Sequence, residues 1–324
     1  MARPAGVRSP AVAGTFAPGS RADPRVGSNS AARHHRATFS VVSGDGAQRW
    51  SGAAGAAGPD GTPLRPDTPF FIASVTKRFI ATLVLQAHER GELDLDESIV
   101  AHLPPAATDG LHVIKGVEHT PHFPPQDLSA DRQRARYSDT GFQLLIAILE
   151  AATGRSFATL LSERIITPLG LDRTWLPSRL EPAGAVAAPA MVSAKDQPRD
   201  LPQMLVASND LFSTSGDLLR FQQALLAGEL FDRPGTTEVL TERANLLRNM
   251  IPIRYGVGTM LLRVGRLYGP GRRPAMVVGH SGVTGSWLFH CPELDVHLAG
   301  TIDQAEGGEC TVSAHGTDLR AWHG

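Results

Sequence analysis

Phe71-Ile72-Ala73-Ser74-Val75-Thr76-Lys77, continued by Phe79, Ile80, Leu83, Val84 and Ala87, is the stretch on which the reading of this chain turns. Val75 and the five positions after Lys77 recur at helical spacing and make one apolar stripe. Pro69 and the triplet Phe70-Phe71-Ile72 form a short extended lead-in. Ser74 then falls at the helix N-terminal end, where serine is favoured as a cap, and Gly91 supplies a stop. The spacing predicts a largely buried helix of about four turns. A serine and a lysine at i and i+3 share a helix face, so the amine can reach the hydroxyl. A free hydroxyl is a poor nucleophile at neutral pH unless a neighbour takes its proton. The helix N-terminus adds a positive field that stabilises developing negative charge there.

The lysine carries information of its own. Of 31 basic residues only Lys77, Lys115 and Lys195 are lysine. Arginine keeps its proton in a protein, whereas a partly buried lysine can release one. A lone Ser-x-x-Lys is nonetheless a weak signal. Two further patterns strengthen it. Tyr137-Ser138-Asp139 precedes an apolar helix containing Phe142, Leu144, Leu145, Ile148 and Leu149, with Gly154 as its stop. His280-Ser281-Gly282 closes a strand-like run. A nucleophile, a proton shuttle, a phenol and an imidazole in this order describe a site that forms an acyl-enzyme.

The remaining pattern places these motifs. Ala37 to Val42 is β-prone, Ser43-Gly44-Asp45-Gly46 is a turn, and Gln48 to Ser51 can pair back. Ser156 caps a helix with Leu160, Leu161 and Ile165, and Thr214-Ser215-Gly216-Asp217 starts another. From Tyr255 the character changes: Tyr255 to Val264, Ala275 to His280, Ser286 to Cys291 and Val296 to Thr301 read as strands, with Pro292-Glu293-Leu294-Asp295 as a hairpin turn. The expectation is an α/β fold with one antiparallel sheet, flanked by helices and built from both chain ends. Residues 33–95 and 246–324 form the sheet domain and 96–245 an inserted all-α domain. Residues 1–32, rich in Ala, Arg, Pro, Gly and Ser, read as a disordered tail.

Composition bounds the function. The chain has 324 residues, 42% hydrophobic and 19% charged, with a net charge of −1. No field favours nucleic acid or an anionic membrane, and no apolar run is long enough to span a bilayer. Residues 1–32 lack the apolar core of a secretory signal, so the expected compartment is the cytoplasm. Cys291 and Cys310 could pair or remain free thiols. His119-Thr120-Pro121-His122 and His34-His35 invite a metal reading, but no cysteine or carboxylate arrangement supports it. No cofactor and no metal are expected.

The four stretches Phe71 to Lys77, Tyr137-Ser138-Asp139-Thr140-Gly141-Phe142, Phe212 to Leu218 and Gly279-His280-Ser281-Gly282-Val283-Thr284-Gly285-Ser286 together resemble the serine β-lactamase and penicillin-binding-protein-like superfamily. Within it the chain is similar to the broad class C β-lactamase-related group, which includes esterases and D-amino-acid peptidases. The resemblance runs from about Thr38 to Gln304. It implies an active site in the cleft between an α/β domain and an all-α domain. It implies that Ser74 is the nucleophile, that Lys77 helps deprotonate it, and that Tyr137 acts as base in acylation and relays a proton to the leaving group. Asp139, in a place often taken by asparagine, would hydrogen-bond Lys77 or substrate. His280 would orient the tyrosine or bind the substrate's carbonyl side. The N–H groups of Ser74 and Val283, beside Gly282, would form the oxyanion hole.

Three departures from the family stand out. His119-Thr120-Pro121-His122-Phe123 replaces a His-Thr-Ser-Gly-Leu stretch, the segment between Ser74 and Tyr137 is short, and residues 307–324 lack an amphipathic terminal helix. A rival reading is an α/β-hydrolase with Ser281 as nucleophile. It lacks glycine at position 283 and the strand–helix alternation of that fold. Another rival is a non-catalytic peptide- or penicillin-binding relative. The expected partner is a small molecule: an ester first, then a D-amino-acid peptide, then a β-lactam.

Overall fold

The structure is a computed structural model that describes residues 36–55, 62–95, 137, 139–177, 209–242, 244–247, 252–264 and 275–302. Its frame starts with a hairpin. Arg36–Ser43 (β1) and Arg49–Gly55 (β2) pair antiparallel. They are joined by a turn in which Gly46 has φ +71° and the Asp45 carboxylate accepts from Ser43 Oγ and Ala47 N–H. The C-terminal strands are Asn245–Leu246 (β5), Arg254–Tyr255 (β6), Met260–Val264 (β7), Ala275–Ser281 (β8), Ser286–Cys291 (β9) and Val296–Thr301 (β10). They complete one sheet in the order β2-β1-β10-β9-β8-β7-β6-β5. The first hairpin docks through β1 on the last strand, so both ends of the chain build one antiparallel sheet, as the pattern predicts.

Register decides which side chains face the helices. Ser40 lies opposite Ala299, Ala299 opposite Leu288, and Leu288 opposite His280. Directly opposed side chains share a face, so these four line one side. Ser215–Leu226 (α5) packs against it, and Thr76–Glu89 (α1) lies beside α5. A buried hydrogen bond of 2.7 Å between Ser40 Oγ and Ser215 Oγ ties α5 to β1. The stacked rings of Phe79 and Phe221, with centroids 3.8 Å apart, join the two helices. Helix α1 is buried from Thr76 to Ala87, all round rather than along one stripe. A helix enclosed in this way is a core helix.

Among the described residues the other α-helices are Asp139–Thr153 (α2), Phe157–Leu161 (α3), Thr167–Leu169 (α4) and Thr236–Glu242 (α6), with a π turn at Ser162–Ile166. α2 packs on α1. Ser156 caps α3 by accepting from Thr159 N–H, and Thr214 caps α5 by accepting from Asp217 N–H. Within the segment 96–245, α5 contacts β1, β9 and β10. Phe212–Ser213 (β4) of the same segment also pairs with Phe70–Phe71 (β3) just ahead of α1. The predicted strand from Tyr255 to Val264 is divided, because Gly256 N–H turns back to Thr259 O and Gly258 has φ +59°.

Cys291 is a buried free thiol. Among the described residues no single helix is long and apolar enough to cross a membrane. The tail at 1–32, His34-His35, the prolines at 104–105 and 124–125, the 119–123 stretch, Cys310 and residues 307–324 lie outside the described residues.

Candidate active site

The turn that carries Ser74 is set by the chain on either side of it. Ile72 N–H bonds Leu211 O at 2.9 Å, and Leu211 N–H bonds Thr76 Oγ1 at 3.0 Å. Between these anchors Ala73 adopts φ +46°. A left-handed residue with a Cβ is strained by about 1–2 kcal/mol, and such strain clusters at active sites. Ala73–Val75 form a 3₁₀ turn, and the N-cap position of α1 belongs to Val75, without a side-chain cap. Ser74 therefore does not cap the helix, as its position suggested. The reversal at Ala73 turns its hydroxyl towards side chains instead.

Three of those side chains converge. Lys77 Nζ donates to Ser74 Oγ at 2.9 Å, and Tyr137 OH donates to the same oxygen at 2.7 Å. Lys77 Nζ also meets Asp139 Oδ1 at 2.6 Å and lies 5.1 Å from the centre of the Tyr137 ring. Lys77 is buried while the Asp139 side chain is 73% exposed. Burial alone would pull the Lys77 ammonium down. Its interactions with Tyr137, Asp139 and Asp210 outweigh it and hold the group above its ordinary range. Burial pushes the Tyr137 phenol up, Lys77 opposes that, and Asp139 adds to it. The resting site is thus an ammonium and a phenol both donating to one hydroxyl oxygen. Loss of one proton from this pair leaves a base in contact with Ser74.

The strand side closes the site. Gly282 lies so near the turn that carries Ser74 that a Cβ there would meet Ser286 Oγ at 2.2 Å, Ile72 O at 2.7 Å and Ala73 Cβ at 2.9 Å. Ser286 Oγ donates to Ile72 O at 2.7 Å, and Thr284 Oγ1 donates to Phe71 O at 3.3 Å. These bonds fasten the loop after β8 to the backbone that carries Ser74. In that loop Gly282 N–H bonds Ser286 O and Gly285 N–H bonds Gly282 O. The Val283 N–H takes no backbone partner among the described residues, and Val283 is 58% exposed.

His280 is placed differently from a residue that touches substrate. It is 0% exposed, and its ring nitrogens face Tyr255 OH at 3.1 Å and Ser281 O at 2.8 Å. Its ring centre is 6.0 Å from that of Tyr137. Burial, then Lys77, holds it well below the usual histidine range, so it is neutral. Ser281 Oγ donates to Met260 Sδ at 3.6 Å, and its sheet is antiparallel. That is no strand-to-helix elbow, and the reading of Ser281 as nucleophile falls with it. Sequence reasoning missed Tyr255 and Asp210. Neither belongs to a motif, and both reach the site only through long-range packing.

A hydroxyl in contact with two proton-active side chains, with a neutral ring behind them, is equipped for acyl transfer. The Beta-lactamase family model matches residues 23–314. The putative penicillin-binding protein PbpX of Bacillus subtilis is 25% identical over 200 residues, 54% of this chain and 51% of that protein. The D-alanyl-D-alanine-carboxypeptidase/endopeptidase AmpH of Escherichia coli is 24% identical over 300 residues, 82% of this chain and 71% of that protein. The chain therefore spans about half of one relative and under three quarters of the other. Among solved structures, the D-amino acid amidase of Ochrobactrum anthropi SV3 superposes with a TM-score of 0.71 at 20% identity, covering 92% of this chain and 96% of that one.

Proposed function

Because the chain belongs to the Beta-lactamase family, we propose that it is a serine hydrolase that forms an acyl-enzyme on Ser74 and releases the acyl group to water. The observation that carries this reading is the convergence of Lys77 Nζ at 2.9 Å and Tyr137 OH at 2.7 Å on Ser74 Oγ. Once the pair has lost one proton, it takes the hydroxyl proton as Oγ attacks the substrate carbonyl. The same proton then passes to the leaving amine or alcohol. A water molecule reverses the sequence. The N–H groups of Ser74 and Val283 hold the carbonyl oxygen as it becomes negative, and removing one such donor costs about 10²–10³ in rate. Gly282 lets that strand end approach the nucleophile. Asp139 holds the Lys77 ammonium, and His280 acts from behind Tyr137.

The substrate in this reading is a small amide or ester. The names of two similar proteins, a D-alanyl-D-alanine peptidase and a D-amino acid amidase, favour D-amino-acid amides and short peptides over simple esters. The carboxylates of Asp139 and Asp210 beside Lys77 favour a substrate end that is cationic rather than anionic. The test is a panel of D-amino-acid amides, D-Ala-D-Ala peptides, nitrophenyl esters and nitrocefin, run beside Ser74→Ala. Turnover by the wild type that is lost in the variant supports the reading. Binding of penicillin without turnover of any member would point to a relative that only binds. Equal turnover by the variant would overturn it.

A further inference from the structure

The imidazole of His280 has no route to solvent, so its effect on the reaction passes through a neighbour. Its surroundings fix its state. A carbonyl oxygen only accepts, so the 2.8 Å contact with Ser281 O places a hydrogen on Nδ1. Nε2 then carries a lone pair, and Tyr255 OH donates to it across 3.1 Å. From α1 the two cations Lys77 and Arg78 face this ring and oppose its protonation. The Tyr137 ring centre lies 6.0 Å from that of His280. Tyr255 is itself buried, and burial, then its interactions with Tyr137 and Asp139, keep its phenol protonated, with Arg78 opposing.

Tyr255 touches the reacting phenol as well. Its ring stands edge-on to Tyr137, with centroids 5.4 Å apart and planes at 81°, and edge-on to His280 at 5.6 Å and 87°. Edge-to-face pairs of this kind are worth about 0.5–1.5 kcal/mol beyond their buried area. The chain just after Tyr255 is pinned to the helix that carries Lys77. A Cβ on Gly258 would lie 2.8 Å from both Ala81 Cβ and Lys77 O. Arg78 Nη1 donates to Thr259 Oγ1 at 3.2 Å. The turn after Tyr255 is thus seated on α1, while the Tyr255 side chain meets Tyr137 and His280.

We propose that Tyr255 is a positioning residue of the hydrolytic site: its ring edge holds the Tyr137 phenol on Ser74, and its hydroxyl fixes the ring of His280 behind that phenol. This rests on the reading that Ser74, Lys77 and Tyr137 perform the hydrolysis. A tyrosine present only to fill the core would tolerate phenylalanine without any change in the reaction, and that separates the two roles. A misplaced reacting group costs up to about 100-fold in rate.

The test compares wild type, Tyr255→Phe, Tyr255→Leu, His280→Gln and the double variant Tyr255→Phe with His280→Gln. Kinetics use whichever ester or amide the wild type turns over. Histidine-selective ¹⁵N NMR on the full chain, with His280 assigned by its loss in His280→Gln, reads the imidazole tautomer. In the wild type His280 shows the Nδ1–H form. In Tyr255→Phe the fold and KM stay close to wild type, kcat falls about 10-fold or more, and the His280 Nε2 signal shifts as its donor disappears. The phenylalanine change costs no further rate in the His280→Gln background, because the hydroxyl acts through that ring. Tyr255→Leu loses more kcat than Tyr255→Phe. Wild-type kcat in Tyr255→Phe with an unchanged His280 spectrum overturns the proposal. Should no substrate be turned over by the wild type, the hydrolase reading fails on its own, and the His280 spectrum of Tyr255→Phe still decides whether Tyr255 fixes that ring.

Discussion

Replacing Asp139 by asparagine keeps the side chain's shape and removes one negative charge from the Lys77 ammonium, 2.6 Å away. Two unit charges at that distance attract by about 1.6 kcal/mol with the dielectric of water and by about 6 kcal/mol at an effective constant of ~20. The Asp139 side chain is 73% exposed, which puts the pair near the watery limit. The asparagine oxygen would also keep a dipolar contact with the amine. An effect of about 1–2 kcal/mol remains, or roughly one pKa unit at about 1.4 kcal/mol per unit. The direction does not depend on which partner releases the proton. Asp139 raises Lys77 and it raises Tyr137, so it opposes deprotonation of the pair either way. The assay is kcat/KM against pH on a nitrophenyl ester or amide, whose acid limb reports that deprotonation in the free enzyme. In Asp139→Asn this limb moves to lower pH by roughly one unit. A limb that stays in place, or moves to higher pH, refutes the claim that Asp139 holds the proton on the pair.

Three further outcomes follow from named contacts. Ser74→Ala loses both turnover and covalent labelling by a fluorophosphonate, while Ser281→Ala keeps both. Mapping the labelled peptide checks this, and an adduct on Ser281 would contradict it. Gly282→Ala drives a Cβ into Ser286 Oγ and Ile72 O. It should lower stability by about 1–3 kcal/mol and reduce turnover, as read by denaturant melts and the same assay. Burial, then the neighbouring His290, holds His297 at about 4, and burial lowers His290 as well. A histidine neutral in the fold is charged in the unfolded chain below its ordinary value near 6.5. Stability is therefore full above that pH and falls as pH drops from about 6.5 towards 4. His297→Phe should flatten the decline in Tm over this window, and an equal decline in both proteins would remove His297 as the cause.

Much of the site was legible because it is local. Ser74 and Lys77 are three positions apart, across the junction of a 3₁₀ turn and α1, and no long-range packing is needed to bring them together. The strands at Ser286–Cys291 and Val296–Thr301 fall where the β-rich runs placed them, because the Pro292–Asp295 turn between them is equally local. The cap expected at Ser74 did not form, because left-handed Ala73 turns that hydroxyl away from the helix. The strand expected through Gly256 and Gly258 is broken because that turn has to fit against α1.

Local patterning thus determined the architecture, and motif spacing together with the family resemblance singled out Ser74, Lys77 and Tyr137 as the candidate nucleophile and its proton partners. Tertiary structure alone decided what stands behind them. His280 reads as a cleft residue in the sequence, yet the register of β8 against β9 and the packing of α1 bury it against Tyr255. Tyr255 and Asp210 carry no mark in the chain. Their effects on Tyr137 and Lys77 exist only once distant segments are packed together, because electrostatic and ring contacts depend on distance in space rather than on separation along the sequence.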